Sequence, residues 1–146
     1  MAPHDSDYEI IHRTIYRVHQ RVAKTYRRGR VLLAGDSAHI NNPLGGMGMN
    51  GGIHDAMNLC EKLTAVLLQG AHTEVLDLYE KQRRTIAIEY INASTARNKK
   101  EIEERDPVLR QKNHDELRAL AADPASSLAY LRKTSMIDAL ERAKAL

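Results

Sequence analysis

Asp36, His39, His54, Cys60 and the glycine-rich run 45–52 are the residues whose types and spacing bear on chemistry. Asp36 closes the apolar run Val31–Ala34 and opens a loop. A carboxylate at the C-terminal end of a strand sits where α/β sheets bind ligands, and it can accept hydrogen bonds from sugar-like hydroxyls. Standing alone, it can equally serve as a loop cap. Glycines directly before a helix let a flat or anionic ligand approach the backbone, and the unpaired N–H groups of the first turn then point at it. No lysine follows in a G-K-[ST] arrangement, so triphosphate binding is excluded in favour of something electron-rich and less densely charged. His39 and His54 have the chemistry of metal ligands or of a general base. Their spacing matches no zinc pattern, and no partner set accompanies them, so no metal site is assigned. Cys60 falls on an apolar helical stripe and reads as core rather than nucleophile. G-x-S-x-G is absent, so no nucleophilic triad stands out.

Gly46-Met47-Gly48-Met49-Asn50-Gly51 satisfies G-x-G-x-x-G, and the context rejects the dinucleotide fingerprint. That fingerprint needs a strand directly before it and a second strand ending in an acid about 20 residues on. Here the preceding strand ends ten residues early, at Asp36, and the helix leads into another helix rather than a strand. Six of the eight glycines lie between Gly35 and Gly52 with Pro43 among them, a clustering that argues against a mere flexible connector.

The elements that must position this loop are legible on either side. Residues 8–26 alternate in their middle part, with Tyr16, Val18 and Val22 on one side and Arg17, His19 and Arg21 on the other, which predicts a half-buried strand. Those three basic residues face either a ligand or solvent. Gly29 supplies a turn, and Val31–Ala34, apolar on both faces, predicts a strand covered on two sides as in a parallel sheet. Ile53, Ala56, Met57, Cys60, Leu63 and Leu67 predict a helix over about 49–69, stopped by Gly70. Thr73 is the expected cap of a second helix reaching about Arg105, roughly 45 Å long. Asp106-Pro107 and Asp123-Pro124 each read as a cap followed by proline in the first turn. Ser135 with Asp138 resembles a capping box.

The 146 residues allow one domain, and 42% hydrophobic with 28% charged residues excludes a disordered chain. No apolar run approaches the roughly 18 residues of a membrane span, and the first ten residues lack the apolar core of a secretory signal. One cysteine cannot form an intramolecular disulfide, so a cytoplasmic location is expected. Residues 1–30 carry seven Lys/Arg against three Asp/Glu, which suits an anionic small partner or a solvated strand face. Aromatics make up only 4% without basic–aromatic interleaving, which argues against nucleic acid.

Gly29–His39, then Pro43–Asn50, then Gly52–Leu59 together resemble the second flavin-binding motif of the single-component FAD-dependent aromatic hydroxylases, the group of para-hydroxybenzoate and phenol hydroxylases. The Tyr16–Tyr26 segment and Leu78-Tyr79-Glu80 resemble the family as well. The resemblance implies an α/β fragment: an N-terminal β-hairpin and one strand of the FAD sheet, followed by several helices, within a two-domain FAD/substrate architecture. Residues 1–28 would end the substrate-domain sheet, 29–72 would hold the flavin-side strand, loop and helix, and 73–146 the C-terminal helices. The family's first dinucleotide fingerprint and its mid-chain Asp-Gly motif have no counterpart here, so a C-terminal portion is expected.

By the same resemblance, Asp36 with Gly35 would bind the ribityl hydroxyls of FAD. Gly45, Gly46, Met47, Gly48, Met49 and Asn50 would lie beside the pyrimidine edge of its ring, and Pro43 near the reactive face. The implied reaction is NAD(P)H-dependent hydroxylation of a small aromatic substrate with O2, and no catalytic base is assigned. The portion missing here, or a second copy of the chain, is the expected macromolecular partner. A non-catalytic helical interaction module without flavin is the alternative.

Overall fold

The computed structural model describes residues 11–15, 17–43 and 46–146. Four two-residue strands come first: β1 (Arg21–Val22), β2 (Arg27–Arg28), β3 (Val31–Leu32) and β4 (His39–Ile40). Both pairings are antiparallel, β2 with β3 as a hairpin and β1 with β4 across the intervening chain. Gly29 turns the hairpin at φ 62°. A 3-10 turn, Gly35–Ser37, lies between β3 and β4.

The helices come next: α1 (Met47–Leu68), α2 (Val75–Ile86), α3 (Ala93–Glu103), α4 (Pro107–Ala122), α5 (Pro124–Thr134) and α6 (Ile137–Lys144). A π-helical stretch, Ala87–Asn92, joins α2 to α3, so the long helix expected after Thr73 runs on through a widened turn. Gly51 explains why α1 can approach that stretch. A Cβ there would fall 2.7 Å from Ile91 Cδ1 and 3.1 Å from His39 Cε1.

Two apolar clusters form the core. One gathers Met47, Ile86, Ala87, Ile91, Met136, Ala139 and Ala143; the other is Tyr26, Ala38 and Tyr79. The face of α2 carrying Tyr79, Glu80 and Arg84 stitches the strand region down. Glu80 accepts from the Tyr26 and Arg27 amides at 2.8 Å each, Tyr79 Oη donates to Leu33 O at 2.6 Å, and Arg84 Nε donates to Ala23 O.

Several expectations change. The long strand over 8–26 shrinks to β1, with Val18 exposed; Tyr8–Ile10 and Tyr16 lie outside the described residues. A strand needs partners along its length, and β4 offers two residues. Val31–Ala34 is likewise one arm of an antiparallel hairpin, with Val31 exposed, and no parallel neighbour flanks it among the described residues. The stripe assigned to the core side of α1 faces out instead. Ile53, Met57, Cys60 and Leu67 are exposed, while Met47, Gly51, Asp55 and Lys62 are buried. Hydropathy picked the wrong face because hydrogen-bonded polar groups centred on Asp55 occupy the inner one.

Helix starts obey local chemistry where an acid precedes proline. Asp106 accepts from the Val108 and Leu109 amides, and Asp123 from the Ser126 amide. Thr73 does not cap α2, which begins after Glu74 with no side-chain cap. Ser135 ends α5 rather than starting α6, and Asp138 pairs with Arg132 at 2.9 Å, so no capping box forms.

Candidate functional site

Between β4, the 3-10 turn and the start of α1 lies a cleft of about 440 Å³. Asp36 contributes from the turn, Ile40 and Asn41 from the end of β4, Pro43 from the connecting loop, and Gly46, Gly48 and Met49 from the helix start. Val18 and His19 form the remaining wall. The turn holds Asp36 outward because Ser37 Oγ folds back on Ala34, donating to its carbonyl at 2.8 Å and accepting from its amide at 3.2 Å.

The N-terminus of α1 opens onto this cleft. Its N-cap is Gly46 at φ 65°, with no capping side chain and no acidic residue in the first turn. The first-turn N–H groups therefore keep their partial positive charge for a ligand. Above Gly46, a Cβ would meet nothing within 4 Å, so the space beside the backbone is open. Asn50 Nδ2 donates back to Gly46 O at 3.2 Å and holds the entry turn.

Of the nine positions singled out, Asp36, Pro43, Gly46, Gly48 and Met49 meet at this cleft. Gly35 sits behind it, its amide donating to Asp55 Oδ2 at 3.0 Å. Met47 sends its side chain into the core. Gly45 lies outside the described residues. On the basic strand face, His19 reaches the cleft wall, whereas Arg17 and Arg21 are exposed and do not line it.

A second group of residues was not visible as a set in the sequence. Asp55, fully buried, accepts from His39 Nε2 at 2.8 Å, from Arg83 Nε at 2.7 Å and from the Gly35 amide. Arg83 is itself buried and also reaches Gly51 O at 3.4 Å. Burial pushes the Asp55 carboxyl up. The hydrogen bonds from His39, Arg83 and Gly35, with the Arg83 charge, outweigh it and hold the group below its ordinary value. The signal available was a second row on α1, Gly51-Asp55, four residues apart with one small and one charged member, together with the tandem Arg83-Arg84 in α2.

The uncapped helix N-terminus and the Asp36 turn thus border one cleft. Residues 1–94 match the FAD binding domain family, and the chain belongs to that family. It is 41% identical over 130 residues to the para-nitrophenol 4-monooxygenase of Pseudomonas sp. (strain WBC-3), a match covering 89% of this chain and 32% of that protein. The structure of p-nitrophenol 4-monooxygenase PnpA from Pseudomonas putida DLL-E4 superposes at a TM-score of 0.70 with 40% identity, over 88% of this chain and 31% of that one. CabE, an aromatic hydroxylase from angucycline biosynthesis, gives 0.70 at 34% identity, over 82% of this chain and 24% of its own. The chain thus spans about a third or less of the length of these relatives.

Proposed function

We propose that this chain forms the ribityl- and pyrimidine-side wall of an FAD site in an NAD(P)H-dependent aromatic monooxygenase. The observation that carries this reading is the cleft that gathers Asp36, Pro43, Gly46, Gly48 and Met49 around an uncapped helix start. When bound, FAD supplies hydride acceptance and oxygen activation, which no amino-acid side chain provides. The chain's own residues bind and orient. The Asp36 carboxylate accepts hydrogen bonds from chain hydroxyls, and the α1 N–H groups stabilise negative charge at the ring edge they face. Pro43 and Met49 present apolar surface to one side of the cleft. His19 and Asn41 also line the cleft and are available to a ligand there.

The wall is completed by polypeptide equivalent to the remaining two-thirds of the relatives. The outer face of α1, with Ile53, Met57, Cys60 and Leu67 exposed, is the surface it would cover. Residues 1–28 would continue that partner's substrate sheet. The free thiol of Cys60 suits a reducing, cytoplasmic setting.

The test is FAD titration, monitored by flavin fluorescence, of this chain combined with such a complementing polypeptide. Asp36→Ala should weaken FAD about tenfold to a hundredfold, since a hydrogen bond to a charged acceptor contributes about 1.5–3 kcal/mol. Unchanged affinity removes Asp36 from the site. Substrate-dependent NADH or NADPH oxidation across a phenol panel then identifies the reductant and the aromatic ring.

A further inference from the structure

Three walls of the cleft meet at one buried carboxylate, that of Asp55. The 3-10 turn that carries Asp36 begins at Gly35, whose amide donates to Asp55 Oδ2. The strand that ends at Ile40 carries His39, whose Nε2 meets the same oxygen. Asp55 stands on α1, the helix whose first turn forms the third wall. Arg83, from α2, occupies the other carboxylate oxygen.

We propose that Asp55 is a positioning residue for this ligand site, fixing the Asp36 turn, the end of β4 and the N-terminus of α1 relative to one another. The proposal rests on the flavin reading for the identity of the ligand, though not for the tie itself. Two features separate it from simple core packing. The tie reaches Gly35, one peptide unit from Asp36, so a shift of the Asp55 oxygen is transmitted to Asp36 through a single residue. The fit is also close at the backbone. A Cβ on Gly52 would lie 3.3 Å from Gly35 Cα, so the turn rests directly on α1 and has no flexible side chain between them to absorb a displacement. Among the described residues, Asp55 hydrogen-bonds to no residue assigned to the ligand other than Gly35, and it acts only through the groups it holds.

The decisive experiment begins with the ligand-free chain, by amide hydrogen exchange. Asp55→Asn should speed exchange at Gly35 and through 36–39 about tenfold to a hundredfold, the worth of a hydrogen bond to a charged group. Amides of α4 and α5 should stay within about twofold. Equal acceleration throughout the chain, or none at Gly35, overturns the proposal. Should Asp55→Asn fail to fold, His39→Gln and Arg83→Lys, which keep a donor, should give a smaller acceleration at the same residues; a uniform one overturns it. In the complemented, FAD-loaded form, Asp36→Ala with Asp55→Asn should weaken FAD by less than the product of the two single losses, because part of the Asp55 effect passes through Asp36. Losses that multiply in full contradict that route. If the unaltered complemented protein takes up no FAD, the flavin reading fails, and the exchange pattern alone still decides whether Asp55 holds the turn.

Discussion

Residues 21–95 and residues 107–134 are stabilised in opposite ways. The first region is held by contacts distant in sequence. Glu80 grips the Tyr26 and Arg27 amides, Tyr79 reaches Leu33, and Asp55 collects His39, Arg83 and Gly35. The second region, α4 and α5, has no buried residue. Its interactions are near neighbours: the Asp106 and Asp123 caps, Lys112–Glu116 at i,i+4 and Arg118–Asp115 at i,i+3. Long-range polar ties hold the elements around the cleft together, whereas local ties build helices that tolerate change. The family match, ending at residue 94, respects the same division.

The largest expected effect breaks the long-range region. Arg83→Ala leaves the Asp55 carboxylate buried with its guanidinium partner gone, a change that costs about 3–5 kcal/mol. The urea midpoint should fall accordingly; a loss below about 1 kcal/mol would mean Asp55 is held adequately by His39 and Gly35.

Acid comes next and acts on the same region. Asp55 lies below its ordinary value of 3.8 when folded, so the unfolded chain binds more protons, and the stability Asp55 contributes is full above that value and lost as pH falls beneath it. His54 is also depressed, by burial first and then by the Arg83 charge, from 6.5. Its contribution is full above pH 6.5 and declines as the pH drops below. Urea midpoints should therefore fall with decreasing pH in two stages. Arg83→Ala, which removes a charge from both groups, should alter both stages; a profile unchanged in shape would separate these groups from the cluster.

A smaller effect sharpens the contrast. Asp106→Ala removes the cap of α4 and should cost about 1 kcal/mol, seen as faster amide exchange confined to the first turn of that helix. Any change in exchange at Gly35 would show the two regions to be coupled after all. Smallest of all is Lys112→Ala, whose exposed pair with Glu116 should leave the urea midpoint unchanged within error.

Legibility in the sequence divides along the same line between local and distant. Asp106, Asp123, Gly29 and Gly70 were legible because a cap or a left-handed turn is decided within a few residues. Thr73 and Ser135 misled for the same reason, since either is a competent cap wherever the chain enters a helix nearby. Asp36, Pro43, Gly46 and Gly48 are legible as parts of one motif, and these four line one cleft. The Asp55 cluster was not legible, because its members lie 16 and 28 residues apart and no local pattern pairs them. The faces of α1 were inverted because hydropathy ranks Ile53 and Met57 above Asp55, while the fold buries the carboxylate with its partners.

The outward stripe of α1 carries a thermal consequence. Ile53, Met57 and Leu67 are exposed in the folded chain, so their hydration is already counted there. Unfolding this chain should therefore show a lower heat capacity increment than its length implies, because the stripe contributes little to the difference between its states. The deficit should reappear on association. Covering the stripe removes apolar surface from water, so calorimetric titration with the polypeptide that completes the wall should give an enthalpy that grows more negative as temperature rises.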